Sequence, residues 1–330
     1  HSNVLIVGGG CAGIAVASRI NSLKSDLSIS IIEPSEKSLY QAAWTLVGAG
    51  AYDVGNTIKP MSEVMPNYVK WIKEHAEEFM PDSNSVKTNS NTYTYDYLVV
   101  CPGLKLNFDG VAGLKESLGK NNVCTNYSAE MATYTWECLK NLDGGTLLFT
   151  EPPMPIKCAG APQKIAYLAA DHLKKKGKLN DSHLEFLCAK PVIFGVPHFQ
   201  GPLNEICDSY GIQRSFQHNL ISIDGQAKEA VFKQSDKDGN SKEVTKKFDF
   251  IHVTPPQTSP DFIKNSPLAD AGGWVDVDHK VGTLRHTKYE NVYSLGDVMN
   301  APNAKTGAAV RKQAPASASS TTEITVLLYH

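Results

Sequence analysis

The sequence predicts an α/β fold with two domains, and three features of the chain support this prediction. The chain opens with an apolar run that is followed at once by a glycine-rich turn. An apolar run followed by a helical pattern recurs near the middle of the chain. The length of 330 residues exceeds that of one ordinary domain. A composition of 42% hydrophobic and 20% charged residues excludes wholesale disorder.

The first element is a strand, because residues 3–7 read NVLIV, a continuous apolar run suited to a strand that is buried on both faces. The turn GGGCAG follows, and the next segment places apolar residues at helical spacing. A second apolar strand ends at Glu33. This order of strand, glycine turn, helix, strand and acid is typical of a dinucleotide-binding βαβ unit.

The three glycines of this GxGxxG pattern have different predicted roles. Gly8 permits the tight turn, Gly10 lets the backbone approach a pyrophosphate, and Gly13 lets the helix pack closely on the strand. Backbone N–H groups at the helix start then face the phosphates. Glu33, twenty residues after Gly13, is placed to accept hydrogen bonds from both ribose hydroxyls. The alternative is a glycine turn in an unrelated βαβ unit.

Two later segments favour FAD over NAD as the ligand of this unit. Residues 93–103 combine an apolar strand with a small-residue turn that ends at Gly103. This resembles the second flavin motif of flavoproteins with two dinucleotide-binding domains. Residues 291–298 form an apolar strand that ends in Gly296-Asp297, a pair that in such flavoproteins contacts the sugar-alcohol chain and phosphate of the flavin. The segment after it is expected to begin a helix aimed at the isoalloxazine.

The middle of the chain lacks a second glycine fingerprint. The strand is present at residues 144–150, but prolines, Lys157 and Cys158 replace the glycine-rich loop. Prolines lack the N–H groups that cradle a pyrophosphate. We therefore predict a second Rossmann-like unit that does not bind NAD(P)H tightly.

The predicted architecture is an α/β flavoprotein fold with two Rossmann-like dinucleotide-binding domains. The FAD-binding domain comprises residues 1–110 and 285–330, and the second domain comprises residues 111–284. The formal net charge of −2 gives no basic excess, so nucleic acid is not expected as a partner. No apolar run approaches the roughly 20 residues of a membrane-spanning helix.

Cys158 is the candidate reactive residue among seven cysteines. It lies just before a helix that is predicted to start near Pro162. The helix dipole and the neighbouring Lys157 both favour a thiolate and nucleophilic chemistry there. A packed turn cysteine is the alternative. The cysteines are odd in number and widely spaced without a CxxC pair, so neither a zinc site nor a disulfide framework is expected.

Together these segments resemble sulfide:quinone oxidoreductases of the mitochondrial type. The likeness runs in order from residue 4 to about residue 313. CAGAPQK at residues 158–164 and HVTPP at residues 252–256 are its specific stretches, whereas GxGxxG is shared with every flavoprotein of this architecture.

The resemblance implies that hydrogen sulfide is oxidised and that two electrons pass through FAD to a membrane quinone, ubiquinone in mitochondria. Cys158 would lie beside the flavin and carry persulfide sulfur, which leaves to an acceptor such as glutathione or sulfite. Cys124 resembles an additional cysteine of bacterial members, with a structural role as the alternative. The resemblance also implies peripheral attachment to the matrix side of the mitochondrial inner membrane.

The motifs and the resemblance also imply a set of cofactor-binding residues. Gln41 would turn its amide toward the flavin, and Ala76 would offer only backbone to the adenine. The predicted cofactor-binding residues are Gly8, Gly10, Cys11, Ala12, Gly13, Glu33, Gln41, Ala76, Gly103, Gly296, Asp297 and Lys305.

Two departures from the family pattern leave alternatives open. No cysteine follows Cys207, whereas the family has a second redox cysteine downstream of its Gly-Asp motif. Residues 314–330 are rich in Ala, Ser and Thr and are predicted to form neither the family helix nor a packed strand. We therefore expect a truncated C-terminus. The alternatives are a non-catalytic FAD-binding remnant and a type II NADH:quinone reductase, against which the proline-rich loop argues.

Overall fold

The chain folds into two compact units, each made of separate stretches of sequence. The computed structural model describes residues 1–280 and 282–328. The first unit comprises His1–Leu39, Lys59–Lys105 and Thr258–His330, and the second comprises Tyr40–Ile58 and Leu106–Gln257. Compared with the two predicted domains, residues 40–58 and 106–110 belong to the second unit and residues 258–284 to the first.

The described residues form strands and helices, which alternate in parts of the chain and are interrupted by runs of consecutive strands at residues 69–106 and 213–258. The strands are β1 (Ser2–Val7), β2 (Ile29–Ile32), β3 (Lys37–Leu39), β4 (Ile58–Pro60), β5 (Val69–Ile72), β6 (Ala76–Met80), β7 (Ser85–Thr88), β8 (Thr92–Val100), β9 (Lys105–Leu106), β10 (Val123–Cys124), β11 (Gly145–Glu151), β12 (Ser182–Cys188), β13 (Gln213–Phe216), β14 (His218–Asp224), β15 (Glu229–Ser235), β16 (Ser241–Lys247), β17 (Phe250–His252), β18 (Gln257–Thr258) and β19 (Val292–Ser294). The α-helices are α1 (Cys11–Leu23), α2 (Trp44–Gly48), α3 (Met61–Val64), α4 (Leu114–Ser117), α5 (Ala129–Asn141), α6 (Ala161–Lys175), α7 (Pro197–Tyr210), α8 (Asp261–Lys264) and α9 (Gly307–Leu328).

The first unit is built on a mixed sheet with the strand order β5-β2-β1-β8-β7-β6, and β19 pairs with β8. The central strands β5, β2, β1, β8 and β19 run parallel, whereas β6 and β7 are antiparallel. Val4, Leu5 and Ile6 of β1 are fully buried, as the continuous apolar run predicts for a central parallel strand. The predicted α/β fold class is confirmed.

Helix α1 packs on this sheet through one face. Its buried residues Val16, Ala17 and Ile20 recur at helical spacing and join the core of the first unit. Because the central strands run parallel, their carboxyl ends meet at one edge of the sheet. The glycine turn after β1 and the Gly296-Asp297 pair after β19 both lie at that edge.

The prediction for residues 314–330 is wrong over its described part. Helix α9 runs from Gly307 to Leu328, so this segment is helical, and Ser317 and Ala318 are fully buried. The helix continues through Pro315, although an internal proline removes one backbone hydrogen bond. Alanine is the strongest helix former, and tertiary packing offsets the weaker propensities of serine and threonine. Tyr329 and His330 lie outside the described residues.

The second unit contains a parallel sheet with the strand order β10-β17-β11-β12-β13. Helix α6 connects β11 to β12, and its buried face packs in the core with Phe149 and Phe186. Strands β14, β15 and β16 form a separate antiparallel sheet. No helix in the described part of the chain is both long and apolar enough to cross a membrane.

Candidate active site

In the glycine turn of the first unit, two positions have no space for a side chain. Gly8 has a φ of +105°, and a Cβ atom there would lie 2.4 Å from the Cys101 carbonyl oxygen. A Cβ atom at Gly13 would lie 1.9 Å from the Gly8 carbonyl oxygen. At Gly10, by contrast, no described atom would lie within 4 Å of a Cβ atom. The outer side of the turn at Gly10 is therefore open to a ligand.

Glu33 is fixed beside this turn by two backbone donors. The Gly9 amide donates to one carboxylate oxygen at 2.8 Å, and the Ser35 amide donates to the other at 2.7 Å. The Trp71 indole donates to the Glu33 carbonyl at 2.8 Å. The carboxylate therefore has a defined position at the carboxyl end of β2, where a ribose would bind.

The Gly296-Asp297 pair meets the start of α1. Gly296 has a φ of +78°, and a Cβ atom there would lie 3.1 Å from the Cβ of Ala12. Its amide donates to the Gln313 side chain on α9 at 2.9 Å. Burial raises the pKa of the Cys11 thiol, and the nearby charge of Asp297 raises it further. The structure thus brings together predicted cofactor residues that are nearly 300 residues apart in sequence.

Lys305 is buried and points into its own loop. Its ammonium group donates to the carbonyls of Asp297 at 2.6 Å and Met299 at 2.9 Å, and it lies 4.3 Å from the centroid of the Trp274 ring. Burial lowers the pKa of Lys305 to about 8. These contacts stabilise the loop after the Gly-Asp pair, and a direct contact with a cofactor stays a prediction.

Two further predicted cofactor residues lie at strand ends of the same unit. Gly103 follows β8 with a φ of +78°, and no described atom would lie within 4 Å of a Cβ atom there. Ala76 begins β6, four residues after the end of β5. Their cofactor contacts also stay predictions.

In the second unit, Cys158 lies in the loop between β11 and α6. It is partly exposed, and its backbone has a φ of +78°, a left-handed conformation that is uncommon for residues other than glycine. Its carbonyl accepts a hydrogen bond from Ala161 at 2.7 Å. The Lys164 ammonium lies 3.8 Å from its sulfur. Helix α6 begins at Ala161, which confirms the predicted start near Pro162.

Lys157 connects this loop to two distant segments of the second unit. Its amide donates to the Gln257 side chain at 2.7 Å, and its ammonium donates to the Gln41 side chain at 2.5 Å. The ammonium also lies 5.4 Å from the centroid of the Tyr127 ring. Gln41, which the sequence predicted as a flavin contact, is thus bonded to the residue next to Cys158.

Cys124, the second predicted catalytic cysteine, is fully buried in β10. Burial raises the pKa of its thiol well above the ordinary value, and the hydrogen bond to Cys138 raises it further. The same hydrogen bond lowers the pKa of Cys138 on α5. The thiol of Cys124 therefore interacts with the thiol of Cys138. A catalytic role of Cys124 stays a prediction.

Sequence reasoning missed a buried polar cluster near Cys158. Glu151 at the end of β11 has no exposed side-chain surface, and the Lys190 ammonium lies 2.5 Å from its carboxylate. The signal was a single acid at the end of the otherwise apolar run GTLLFTE. The pairing with Lys190 could not be read from spacing because the lysine follows a different strand. Among the described residues, no group of three or more His, Cys, Asp or Glu could hold a metal ion.

Comparison with known proteins connects this arrangement to a family. Residues 2–136 match the family described as pyridine nucleotide-disulphide oxidoreductase. The chain is 44% identical over 318 residues to the mitochondrial sulfide:quinone oxidoreductase of Dictyostelium discoideum, covering 95% of this chain and 69% of that protein. The chain belongs to the sulfide:quinone oxidoreductase family. The mouse mitochondrial sulfide:quinone oxidoreductase is 40% identical over 314 residues, with the same shares of coverage.

The fold of this sulfide:quinone oxidoreductase family member is also that of a solved relative. The crystal structure of the sulfide:quinone oxidoreductase from Aquifex aeolicus superposes with a TM-score of 0.83 at 23% identity. The match covers 98% of this chain and 77% of that one. The family resemblance predicted from CAGAPQK and HVTPP is confirmed.

Proposed function

We propose that the chain is an FAD-dependent sulfide:quinone oxidoreductase that holds sulfur on Cys158 as a persulfide. Hydrogen sulfide is the electron donor and ubiquinone is the acceptor. The observation that carries this proposal is the 44% identity to a mitochondrial sulfide:quinone oxidoreductase over 95% of the chain. The lysine-flanked Cys158, in the stretch specific to this family, supports it.

The glycine turn of the first unit fits FAD. The open side of the turn at Gly10 leaves room for a pyrophosphate beside the start of α1, and no described side chain caps this helix. Glu33 stands where its carboxylate would accept hydrogen bonds from the ribose hydroxyls, and the Asp297 segment meets the start of α1. When bound, FAD supplies a two-electron acceptor that can be reoxidised by a quinone.

The residues around Cys158 favour anionic sulfur. The Lys164 ammonium, 3.8 Å from the sulfur, stabilises a thiolate or a persulfide anion. The hydrogen bonds of Lys157 to Gln41 and Gln257 hold the loop in place. A positively charged loop also favours anionic sulfur acceptors, among which we propose sulfite and glutathione. For Cys124 to act as a second redox residue, its buried thiol must become accessible to sulfide.

The loop between β11 and α6 argues against NADH as the donor. Pro152, Pro153 and Pro155 have no N–H groups, so this loop cannot form the nest of amides that binds a pyrophosphate. The curated relatives from mouse and Dictyostelium are named mitochondrial enzymes. We place this chain in mitochondria, at the matrix side of the inner membrane, where its quinone resides.

A spectroscopic experiment tests the proposal. The purified protein is reconstituted with FAD, and the flavin absorbance is followed under anaerobic conditions after sulfide or NADH is added. We expect bleaching by sulfide, recovery on addition of a short-chain ubiquinone, and no bleaching by NADH. Cys158→Ser should abolish the bleaching by sulfide, whereas Cys207→Ala, at a buried cysteine of α7, should retain it.

Three results would contradict this function in different ways. A yellow protein that reacts with neither donor would indicate a non-catalytic FAD-binding remnant. Bleaching by NADH alone would indicate a type II NADH:quinone reductase. Full sulfide oxidation by the Cys158→Ser variant would remove this cysteine from the mechanism.

A further inference from the structure

Four parallel strands of the second unit end at one edge of the sheet. These are β10, β17, β11 and β12, which lie side by side in that order. In parallel sheets, ligands and reacting groups are found at the carboxyl ends of the strands. At this edge a polar side chain belongs to the end of each strand or follows it: Tyr127, Thr254, Glu151 and Lys190. The loop with Cys158 leaves the same edge.

Glu151 and Lys190 form an ion pair that is almost completely removed from solvent. Their side chains are 0% and 14% exposed, and the ammonium lies 2.5 Å from a carboxylate oxygen. Burial raises the pKa of Glu151, and the charge of Lys190 counteracts this effect. Replacing such a pair by apolar residues is often neutral or stabilising, so stability alone does not explain its presence.

Tyr127 relates this pair to Cys158. Burial raises the pKa of its hydroxyl, and the charges of both Cys158 and Glu151 raise it further. Hydrogen bonding with the Thr254 and Gln257 side chains counteracts this rise. The Tyr127 ring also lies 5.4 Å from the ammonium of Lys157, the residue before Cys158, so Tyr127 packs against the loop that carries the thiol. A buried polar network of this kind is sensitive to the loss of any member.

We propose that Glu151, held by Lys190, is the base of the Cys158 site and accepts a proton, by way of Tyr127, when sulfide is oxidised on Cys158. This role rests on the proposed function. The step is H2S + Cys158–SH → Cys158–S–SH + 2 H+ + 2 electrons. One S–S bond forms between the sulfide sulfur and Sγ, and two S–H bonds break. The quinone takes up the two electrons and finally two protons, and the Glu151 carboxylate holds one of the protons in between.

The groups that face Glu151 determine its response to pH. Lys190 follows β12, Cys188 ends β12, and Tyr127 follows β10; each influences Glu151 or is influenced by it. A base must be unprotonated, so turnover should rise with pH through the raised pKa of Glu151 and then level off. Without this carboxylate, that rise should disappear.

The test compares two buried glutamates. Glu151→Gln removes the titrating group and nearly preserves its shape. Glu185→Gln is the matched control, because Glu185 is also buried on a strand of this sheet and also pairs with a lysine, Lys246, at 2.8 Å. We expect Glu151→Gln to lower kcat for sulfide oxidation by about 10²-fold and to remove the rise with pH. Glu185→Gln should keep the wild-type pH profile.

A second measurement does not require turnover. Alkylation of Cys158 by iodoacetamide is followed by peptide mass spectrometry between about pH 6 and pH 9. With the carboxylate gone and Lys190 still charged, Cys158 should react several-fold faster near neutral pH in Glu151→Gln. Glu185→Gln should match the wild type. If Glu151→Gln folds poorly, Glu151→Leu combined with Lys190→Met replaces the pair by apolar residues and should show the same loss of turnover.

The outcomes separate this inference from the function on which it rests. Wild-type protein that does not oxidise sulfide would contradict the proposed function. Unchanged Cys158 alkylation in Glu151→Gln would overturn the coupling to Cys158, whatever the activity. Faster alkylation together with a wild-type pH profile of turnover would overturn the role of Glu151 as the base.

Discussion

Gly13 and Gly10 lie in the same turn, but a methyl group at each would meet different surroundings. At Gly13 a Cβ atom would lie 1.9 Å from a backbone oxygen, and a backbone atom cannot move aside as a flexible side chain can. At Gly10 the space is open, and the φ of −76° suits alanine. A substitution at Gly13 should therefore affect folding, and a substitution at Gly10 should affect ligand binding.

We expect Gly13→Ala to lower the free energy of unfolding by about 1–3 kcal/mol, because the helix must move away from the strand. Gly10→Ala should leave the stability of the flavin-free protein nearly unchanged and weaken only the retention of FAD. Urea denaturation of the flavin-free variants and flavin release on dilution measure the two effects. Equal stability of both variants would contradict the packing role of Gly13.

At the scale of single elements, His252 joins two neighbouring strands. It ends β17, and its Nε2 accepts a hydrogen bond from the Asn126 amide at 3.0 Å, just beyond β10. The ring is buried, and burial lowers the pKa of His252 from 6.5 to about 3. The neutral ring is therefore the form that holds these two segments together.

This histidine makes the fold sensitive to acid. Between pH 6.5 and about pH 3 the unfolded chain binds one proton more than the folded chain at this residue. Its contribution to stability is therefore present above pH 6.5 and is lost as the pH falls toward 3. We expect His252→Gln, which can still accept from Asn126, to reduce the slope of unfolding free energy against pH in this window.

The expected reduction is up to about 1.4 kcal/mol per pH unit, the value of one proton. Chemical denaturation at several pH values between about 4 and 6.5 measures it. His279→Gln is the control because its side chain is exposed. An identical slope in wild type and His252→Gln would show that His252 binds the same number of protons in the folded and the unfolded chain, which would contradict the lowered pKa.

Local sequence patterns predicted those elements whose hydrophobicity and propensity match their burial and conformation in the structure. The apolar run of β1, the glycine turn and the start of α6 were all recognised because each signal lies within a few residues. The helical segment 314–328 was not recognised, because its serines and threonines are weak helix formers and burial of residues such as Ser317 outweighs them. The bond between Lys157 and Gln41 spans 116 residues, and no local pattern contains it.

At the scale of the whole molecule, the chain passes between its two compact units more often than the sequence showed. Residues 40–58 follow the first βαβ unit directly but belong to the second unit. Composition does not change at their boundaries, so only tertiary contacts reveal the division. The polar pair of Glu151 and Lys190 was missed for the same reason, because adjacent parallel strands bring together residues that are distant in sequence.

Binding of FAD to the first unit should stabilise the folded protein. A ligand that binds only the folded chain stabilises it by about 2.7 kcal/mol at a concentration of about 100 times its Kd. We expect FAD at that concentration to raise the free energy of unfolding by this amount. NAD should have no effect, because the segments at Gly103 and Gly296-Asp297 favour FAD at the glycine turn and the loop before α6 lacks a phosphate nest. Gly10→Ala should show a smaller effect of the same FAD concentration. Stabilisation by NAD equal to that by FAD would contradict the assignment of FAD to the glycine turn.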